Sequence, residues 1–139
     1  MRKSWSEKLA ASAEVVVKPA PASIAGMRAG QVMLVPTARM IAEFMAAVPA
    51  GGFVDVVAMR RQLAERHGAE VTCPIYTGYH LRTVAEAALE AIAAGVSFEA
   101  VTPFWRVLDE RSPTTGRLHC GAGFGAARRA AEAEATKNR

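Results

Sequence analysis

The stretch VTPFWRVLD, residues 101–109, is the most informative part of this chain. It places two aromatic side chains among apolar neighbours in a sequence otherwise dominated by Ala, Val and Gly. Because proline cannot donate to a sheet ladder, Pro103 predicts the start of a strand or a turn that leads into one. Residues 104–108 then predict a short strand, with Trp105 and Val107 on one face. The simplest interpretation is a core strand that carries one solvated residue, Arg106.

Length and composition predict about one domain with a substantial core. The chain has 139 residues, of which 51% are hydrophobic and 22% charged, which excludes wholesale disorder. No apolar run approaches the roughly 18 residues that span a bilayer. The polar run Ser4–Lys8 lies where the apolar segment of a signal peptide would have to start. We therefore expect a cytoplasmic protein without a membrane partner.

The net charge of +4 raises the possibility of a nucleic-acid partner, but the charge is unevenly distributed. Residues 1–52 carry six basic and three acidic side chains, and residues 119–139 carry four and two. The middle segment, residues 53–118, carries seven basic and eight acidic side chains. The basic excess therefore lies in the end segments.

Residues 1–35 predict an N-terminal helix followed by an extended arm, and residues 36–139 predict the main domain. Ser4 and Glu7 have the spacing of a capping box, so a helix should extend to about Ala11. Prolines and glycines dominate the next segment, which predicts an arm with an edge strand at Val15–Val17. A second strand is predicted at Gln31–Val35.

The sequence of the main domain predicts four helices. Pro36 opens the first, and Asp55 caps the second, Val56 to Arg66. The third, from about Thr77 to Ala94, has the clearest apolar period. The fourth begins at about Ala126. Two helices with a connector, followed by a strand and a turn, are typical of a winged helix-turn-helix. The predicted class is α+β, mostly helical, with an N-terminal extension to a winged helix-turn-helix-like domain.

Segments of this chain are similar, in the same order, to the C-terminal domain of alkylguanine-DNA alkyltransferases and alkyltransferase-like proteins. The similar segments are Val48–Gly51, the helix that ends at Arg66, Arg82–Ala85, Pro103–Val107 and the trailing glycine segment, and the similarity covers about two thirds of the chain. In that family an I-P-C-H-R-V strand carries the cysteine that accepts the alkyl group. A helix-turn-helix enters the minor groove and flips the base. The resemblance therefore implies a DNA-binding domain.

The resemblance fails at the reactive position. Pro103 and Arg106 match the strand motif, as does Val107, but Phe104 stands where the family has its cysteine and Trp105 where it has its histidine. Alkyl acceptance requires a thiolate and a neighbouring base. Neither Phe nor Trp provides them, so the expected protein is not an alkyltransferase.

The recognition-helix motif matches in part. Arg82 and Val84 match the family segment A-R-A-V-G, whose arginine takes the place of the extruded nucleotide, while Thr83 and Ala85 depart from it. The family tyrosine near the start of the first motif helix is replaced by Val56. Between the two motifs this chain is longer than the usual pattern by about one helical turn.

Two cysteines and three histidines show no spacing typical of catalysis or metal binding. Cys73 has no His or Lys near it in sequence, and Cys120 adjoins His119 without any requirement that the two side chains face each other. Small buried or incidental thiols are the simpler interpretation. His67, His80 and His119 lack ligand spacing. We expect no metal and no cofactor.

These observations leave three functional hypotheses. The first is a noncatalytic alkyltransferase-like protein that binds DNA and senses modified bases. Its predicted DNA contacts are Thr77, Tyr79, His80, Arg82 and Thr83, and its predicted pocket is lined by Pro103, Phe104, Trp105 and Arg106. The second is a winged-helix scaffold that binds a protein partner or forms a homodimer. The third is an enzyme with a small ligand beside Trp105. For Arg82, the competing interpretation is an i,i+4 ion pair with Glu86 on a solvated face.

Overall fold

The computed structural model describes residues 3–11 and 13–137 and is α+β, with 56% helix. The α+β, mostly helical class predicted from the sequence is therefore confirmed. The helices are α1 (Trp5–Ala10), α2 (Ala38–Ala47), α3 (Val56–Arg66), α4 (Pro74–Ala93) and α5 (Gly121–Lys137). The strands are β1 (Val16–Pro19), β2 (Val32–Val35) and β3 (Val71–Thr72). Three short 3-10 helices lie at Phe98–Ala100, Phe104–Arg106 and Pro113–Arg117.

The N-terminal arm and the main domain share one sheet of order β1-β2-β3. β1 pairs antiparallel with β2, Val16 opposite Val35, so the predicted edge strand and its neighbour are both confirmed. β2 pairs in parallel with β3, Met33 opposite Val71. β3 lies in the connector between α3 and α4, where the sequence predicted no strand. The arm predicted at residues 1–35 and the domain predicted at residues 36–139 therefore contribute strands to the same sheet.

Side-chain caps begin three of the helices where the sequence predicted helix starts. The Oγ of Ser4 accepts a hydrogen bond from the N–H of Glu7 at 3.1 Å. Thr37, one residue after the predicted Pro36, caps α2 in the same way. The Asp55 carboxylate accepts from the N–H of Ala58 at 2.7 Å. Each such cap satisfies an amide that has no partner within the helix.

The core lies where α2 and α4 pack on each other and on the turn at residues 104–106. α2 contributes Ile41 and Met45, and α4 contributes Val84, each fully buried. α3 adds Met59 and Leu63 from the face that its sequence period predicted. The sheet lies at one side of this core, and β1 remains exposed along its length.

The central stretch is a turn, so the strand predicted at residues 104–108 is wrong. Phe104–Arg106 forms a 3-10 helix, closed by a hydrogen bond from the Val107 N–H to the Phe104 carbonyl at 3.1 Å. Phe104 and Trp105 are only 2% and 1% exposed. Successive strand residues point to opposite faces, whereas this turn buries both rings. Phe124 of α5 stacks on Phe104 and meets the edge of Trp105.

Two helices begin earlier than their sequence patterns indicated. α4 starts at Pro74, which occupies the first helical position, where its missing N–H costs nothing. α5 starts at Gly121 instead of Ala126, so the glycine segment is itself helical. In the described part of the chain, no helix is long and apolar enough to cross a membrane.

Candidate functional site

A groove of about 480 Å³ lies between the starts of α3 and α4 and the segment 109–117. Its volume falls within the range of about 300–1,000 Å³ that is usual for small-molecule sites. Apolar side chains of Val56, Leu81 and Pro113 line part of it. The polar and charged lining residues are Asp55, Arg60, Thr77, Asp109, Arg111, Ser112, Thr114 and Arg117.

Three arginines give the groove a positive character. Arg111 and Arg117 are exposed at the mouth. Arg60 is partly buried, and its guanidinium donates to the Thr72 carbonyl at 3.3 Å. Burial lowers the pKa of Arg60, an effect opposed by Cys73, but arginine keeps its charge at neutral pH. The partly buried cation inside and the two exposed cations at the mouth favour an anionic ligand.

The two carboxylates of the groove are engaged within the protein. Asp55 caps α3, and the Asp109 carboxylate accepts from the N–H of Arg111 at 2.9 Å and from the Ser112 hydroxyl at 3.2 Å. A carboxylate that accepts local hydrogen bonds has fewer lone pairs left to pair with the arginines. Among the described residues neither carboxylate forms an ion pair with an arginine of the groove, so the exposed Arg111 and Arg117 remain available to a ligand.

The start of α4 adds to the positive potential at the groove. Cys73 occupies the N-cap position and, within the described residues, its side chain makes no capping hydrogen bond. α4 has 20 residues, and the N-terminus of a long helix carries partial positive charge. Pro74, Thr77 and Gly78 from its first turns line the groove.

Apolar and aromatic side chains are exposed beside the groove. Val57 on α3 is 67% exposed, and Ile75 and Tyr79 on α4 are 58% and 62% exposed. Tyr76 is 48% exposed and stacks on His80. Large apolar groups that cluster on a surface commonly mark an interaction site.

Of the five residues predicted to contact DNA, two face the interior. Thr77 and Thr83 are each 2% exposed. Their hydroxyls donate to backbone carbonyls one turn earlier, those of Cys73 and Tyr79. Because these hydroxyls are buried and bonded, the prediction that Thr77 and Thr83 present them to DNA is corrected. The helical period alone did not show that this face turns inward.

The other three are accessible to different degrees. Tyr79 is exposed, whereas His80 is half-buried between Tyr76 and Tyr79. Burial lowers the pKa of His80, although a hydrogen bond to the Pro36 carbonyl opposes the shift. His80 is therefore a poor source of positive charge at neutral pH.

Arg82 does not form the ion pair with Glu86 that was the competing interpretation. Its guanidinium lies over the ring of Trp5, 5.1 Å from the centroid. Glu86 is buried and bonds instead with the Nδ1 of His119. Arg82 also lies near the middle of α4, because the helix starts at Pro74. The resemblance had placed it at the beginning of the recognition helix.

The predicted pocket around the central stretch is largely filled. Pro103 and Phe104 are buried in the core and do not line the groove. Trp105 and Arg106 border a different cavity, of about 210 Å³, beside α5. The prediction that these four residues form one open pocket is therefore corrected, because the turn directs both rings inward.

Glu132 of α5 holds this second region together. Its carboxylate accepts from the Trp105 Nε1–H at 2.6 Å, the Arg106 guanidinium at 3.0 Å and the Gly51 N–H at 3.1 Å. Burial alone would raise the pKa of Glu132, but these hydrogen bonds and the charge of Arg106 outweigh it and hold the pKa below its ordinary value. The sequence analysis missed Glu132. The one sequence feature that indicated such a residue was that the N–H of a buried Trp105 and the guanidinium of Arg106 need hydrogen-bond acceptors.

Neither cysteine has the environment of a reactive thiolate. Cys73 is 4% exposed. Burial, assisted by the charge of Glu86, raises the pKa of Cys120, so its thiol stays protonated at neutral pH. Among the described residues, no group of three or more His, Cys, Asp and Glu side chains could hold a metal ion.

Comparison of this chain with protein-family models, with curated proteins and with solved structures found no match. The groove and its charges are therefore the basis on which function can be inferred. Arg60, Arg111 and Arg117 were not predicted as site residues. Arg60 is far in sequence from Arg111 and Arg117, which are themselves six residues apart, and no local motif connects the three.

Proposed function

We propose that this protein binds DNA without catalysing a reaction, and that the arginine-lined groove between α3 and α4 faces the DNA. The observation that carries the proposal is the convergence of Arg60, Arg111 and Arg117 on one concave surface at the start of α4. Phosphate oxygens of DNA are bound by arginines and by helix N-termini. The groove supplies both.

The order of elements supports the same proposal. α3, a short connector and α4 follow one another as the two helices of a helix-turn-helix do. The segment after α4 is a 3-10 turn in place of the strand of a wing. DNA contact in this proposal therefore depends on the helices and on the segment 109–117, not on a wing.

The second part of the proposal is that the protein catalyses no alkyl transfer. Phe104 occupies the position of the family's acceptor cysteine and is buried in the core, where it stacks on Phe124. Cys120 has a raised pKa, which makes it a weak nucleophile.

Base recognition is the finer part of the proposal. The groove combines an apolar wall with cations. A site for one nucleotide needs both, because the base packs on apolar side chains and the phosphates pair with cations. We propose that an extruded, modified base enters this groove. Tighter binding to a duplex with one O6-methylguanine than to the unmodified duplex would support this part, and equal binding would contradict it.

The test of DNA binding is fluorescence anisotropy with a labelled duplex at low salt. The double variant Arg111→Ala/Arg117→Ala should bind about tenfold more weakly than the wild type, because it loses two phosphate contacts. The matched control is Lys18→Ala/Arg28→Ala, which removes two exposed cations from the N-terminal arm. Equal weakening by the two double variants would mean that net charge, and not the groove, determines binding.

A second candidate function is the binding of a protein partner. The observation that favours it is the exposed apolar rim of Val57, Ile75 and Tyr79. If the wild type does not bind DNA at low salt, this candidate replaces the first. Sedimentation of the wild type and of Ile75→Ser would then show whether the partner is a second copy of the chain.

A further inference from the structure

The short helix α1 packs on α4. The backbone N–H groups of Trp5 and Ser6 both donate to the carboxylate of Glu90 on α4, each at 3.0 Å. The Ser6 hydroxyl donates to the same carboxylate at 2.9 Å. A single acidic side chain of α4 therefore holds the start of α1.

The ring of Trp5 covers Arg82. It lies between two cations, with the Lys8 ammonium 4.1 Å and the Arg82 guanidinium 5.1 Å from the ring centroid. The Nε of Arg82 is buried and makes no hydrogen bond to any described residue. Burial of a guanidinium nitrogen without a hydrogen-bond acceptor costs free energy. The position of Arg82 under Trp5 therefore carries a free-energy cost.

Arg82 lies one helical turn after Gly78, which lines the groove. Ile75, Tyr79 and Arg82 follow at i, i+4 and i+7, which places them on one side of the helix. Ile75 and Tyr79 are open to solvent, whereas Trp5 lies over Arg82. Removal of α1 would extend the cationic surface by one arginine.

α1 packs only shallowly on the surface of α4. None of its six residues is buried. Crevices of about 330, 360 and 420 Å³ border the helix and the residues that follow it. Isolated helices of this length are not stable in water, so α1 depends on Glu90 and on the face of α4 for its structure.

We propose that α1 is an autoinhibitory cover over Arg82, which lowers the affinity of the protein for DNA and leaves α4 when DNA binds. This inference rests on the proposed function. Phosphates that approach the groove compete with the Trp5 ring for Arg82, and the buried Nε gains an acceptor. DNA affinity is reduced by the fraction of molecules in which the cover is closed.

The experiment compares DNA affinity in variants that loosen the cover. Glu90→Gln weakens the anchor of α1, and Trp5→Ala removes the ring over Arg82. Each should bind a labelled duplex about tenfold more tightly than the wild type. Glu134→Gln is the matched control, since it removes one exposed negative charge from α5 without contact to α1. Adding Arg82→Ala to either variant should cancel the gain.

Hydrogen exchange of the Trp5 and Ser6 amides in the full-length protein reports the cover directly. We expect slow exchange in the wild type, fast exchange in Glu90→Gln, and faster exchange in the wild type once DNA is added. If the amides exchange fast in Glu90→Gln while DNA affinity matches that of Glu134→Gln, the cover is not autoinhibitory, although DNA binding stands. If no variant binds DNA, the proposed function and this inference both fail.

Discussion

Glu132 accepts hydrogen bonds from three separate parts of the chain: the ring of Trp105, the guanidinium of Arg106 and the backbone of Gly51. It is 8% exposed. The same guanidinium also donates to the Val48 carbonyl at 2.7 Å. At this position one carboxylate joins α5 to the central turn and to the end of α2.

Replacement of this carboxylate by an amide should destabilise the protein. Glu132→Gln keeps the shape but leaves Arg106 without its counter-charge, and removal of one partner of a buried pair costs about 3 kcal/mol. Urea denaturation measures the loss. The control is Glu134→Gln on the same helix, which is exposed and should change stability by less than about 0.5 kcal/mol. Equal small changes in both would show that the pair contributes little.

The lowered pKa of Glu132 predicts a direction for the pH dependence of stability. Its folded pKa lies below its unfolded pKa, which is about 4.3 for glutamate. The contribution of Glu132 is therefore complete above the unfolded pKa and is lost as pH falls through the folded pKa. The urea midpoint of the wild type should decrease when the pH is lowered from about 6 to about 2, which are roughly two units to either side of that unfolded pKa. In Glu132→Gln this fall should be smaller, and an identical fall would contradict the assignment.

Among the elements, α2, α3 and α4 were predictable because each buries one face at the helical period. Their caps were also visible, since Asp55 stands directly before an apolar period and forms the cap it predicts. β1 and β2 followed from short apolar, valine-containing runs between prolines and glycines. These signals are local, and local signals are what a single sequence carries.

The central turn could not be predicted, because its geometry depends on a distant helix. Alternation of residues along 104–108 fits a strand, but α5 provides Phe124 and Glu132 as partners for both aromatic residues. Burial of both Phe104 and Trp105 then favours a turn. The groove was missed for the same reason: Arg60, Arg111 and Arg117 meet only when α3, α4 and the segment 109–117 are packed.

Substitutions of Asp55 distinguish its effect as a helix cap from its effect on the charge of the groove. Asparagine caps a helix about as well as aspartate, whereas alanine costs about 1 kcal/mol. Asp55→Asn should therefore keep its stability in urea and bind DNA more tightly, because the groove loses a negative charge. Asp55→Ala should gain the same affinity but lose stability. If Asp55→Asn left DNA affinity unchanged, the duplex would not approach the start of α3.

For the molecule as a whole, the structure places cations together that the sequence distributes along a nearly neutral middle segment. Charge counts along the chain located the basic excess at the two ends. In the fold, three arginines and two aspartates line the groove, so its formal charge is positive although the middle segment as a whole is close to neutral.

We predict that the protein accepts no alkyl group. Phe104 has no nucleophilic atom, and the thiols of Cys73 and Cys120 are buried or held protonated. Incubation with a duplex that carries a labelled O6-alkylguanine should leave the protein unlabelled in denaturing electrophoresis. Stoichiometric label on the protein, mapped to either cysteine, would contradict this prediction.

The salt dependence of DNA binding tests the central claim most directly, because it counts the phosphate contacts that the groove makes. With three to five contacts, at about 0.9 per contact, the slope of log affinity against log salt should be roughly −3 to −4.5 for the wild type. Arg111→Ala/Arg117→Ala should reduce the magnitude of the slope by about 2, and Lys18→Ala/Arg28→Ala should leave it unchanged. A wild-type slope that the groove variant does not alter, or no binding even at low salt, would contradict the account.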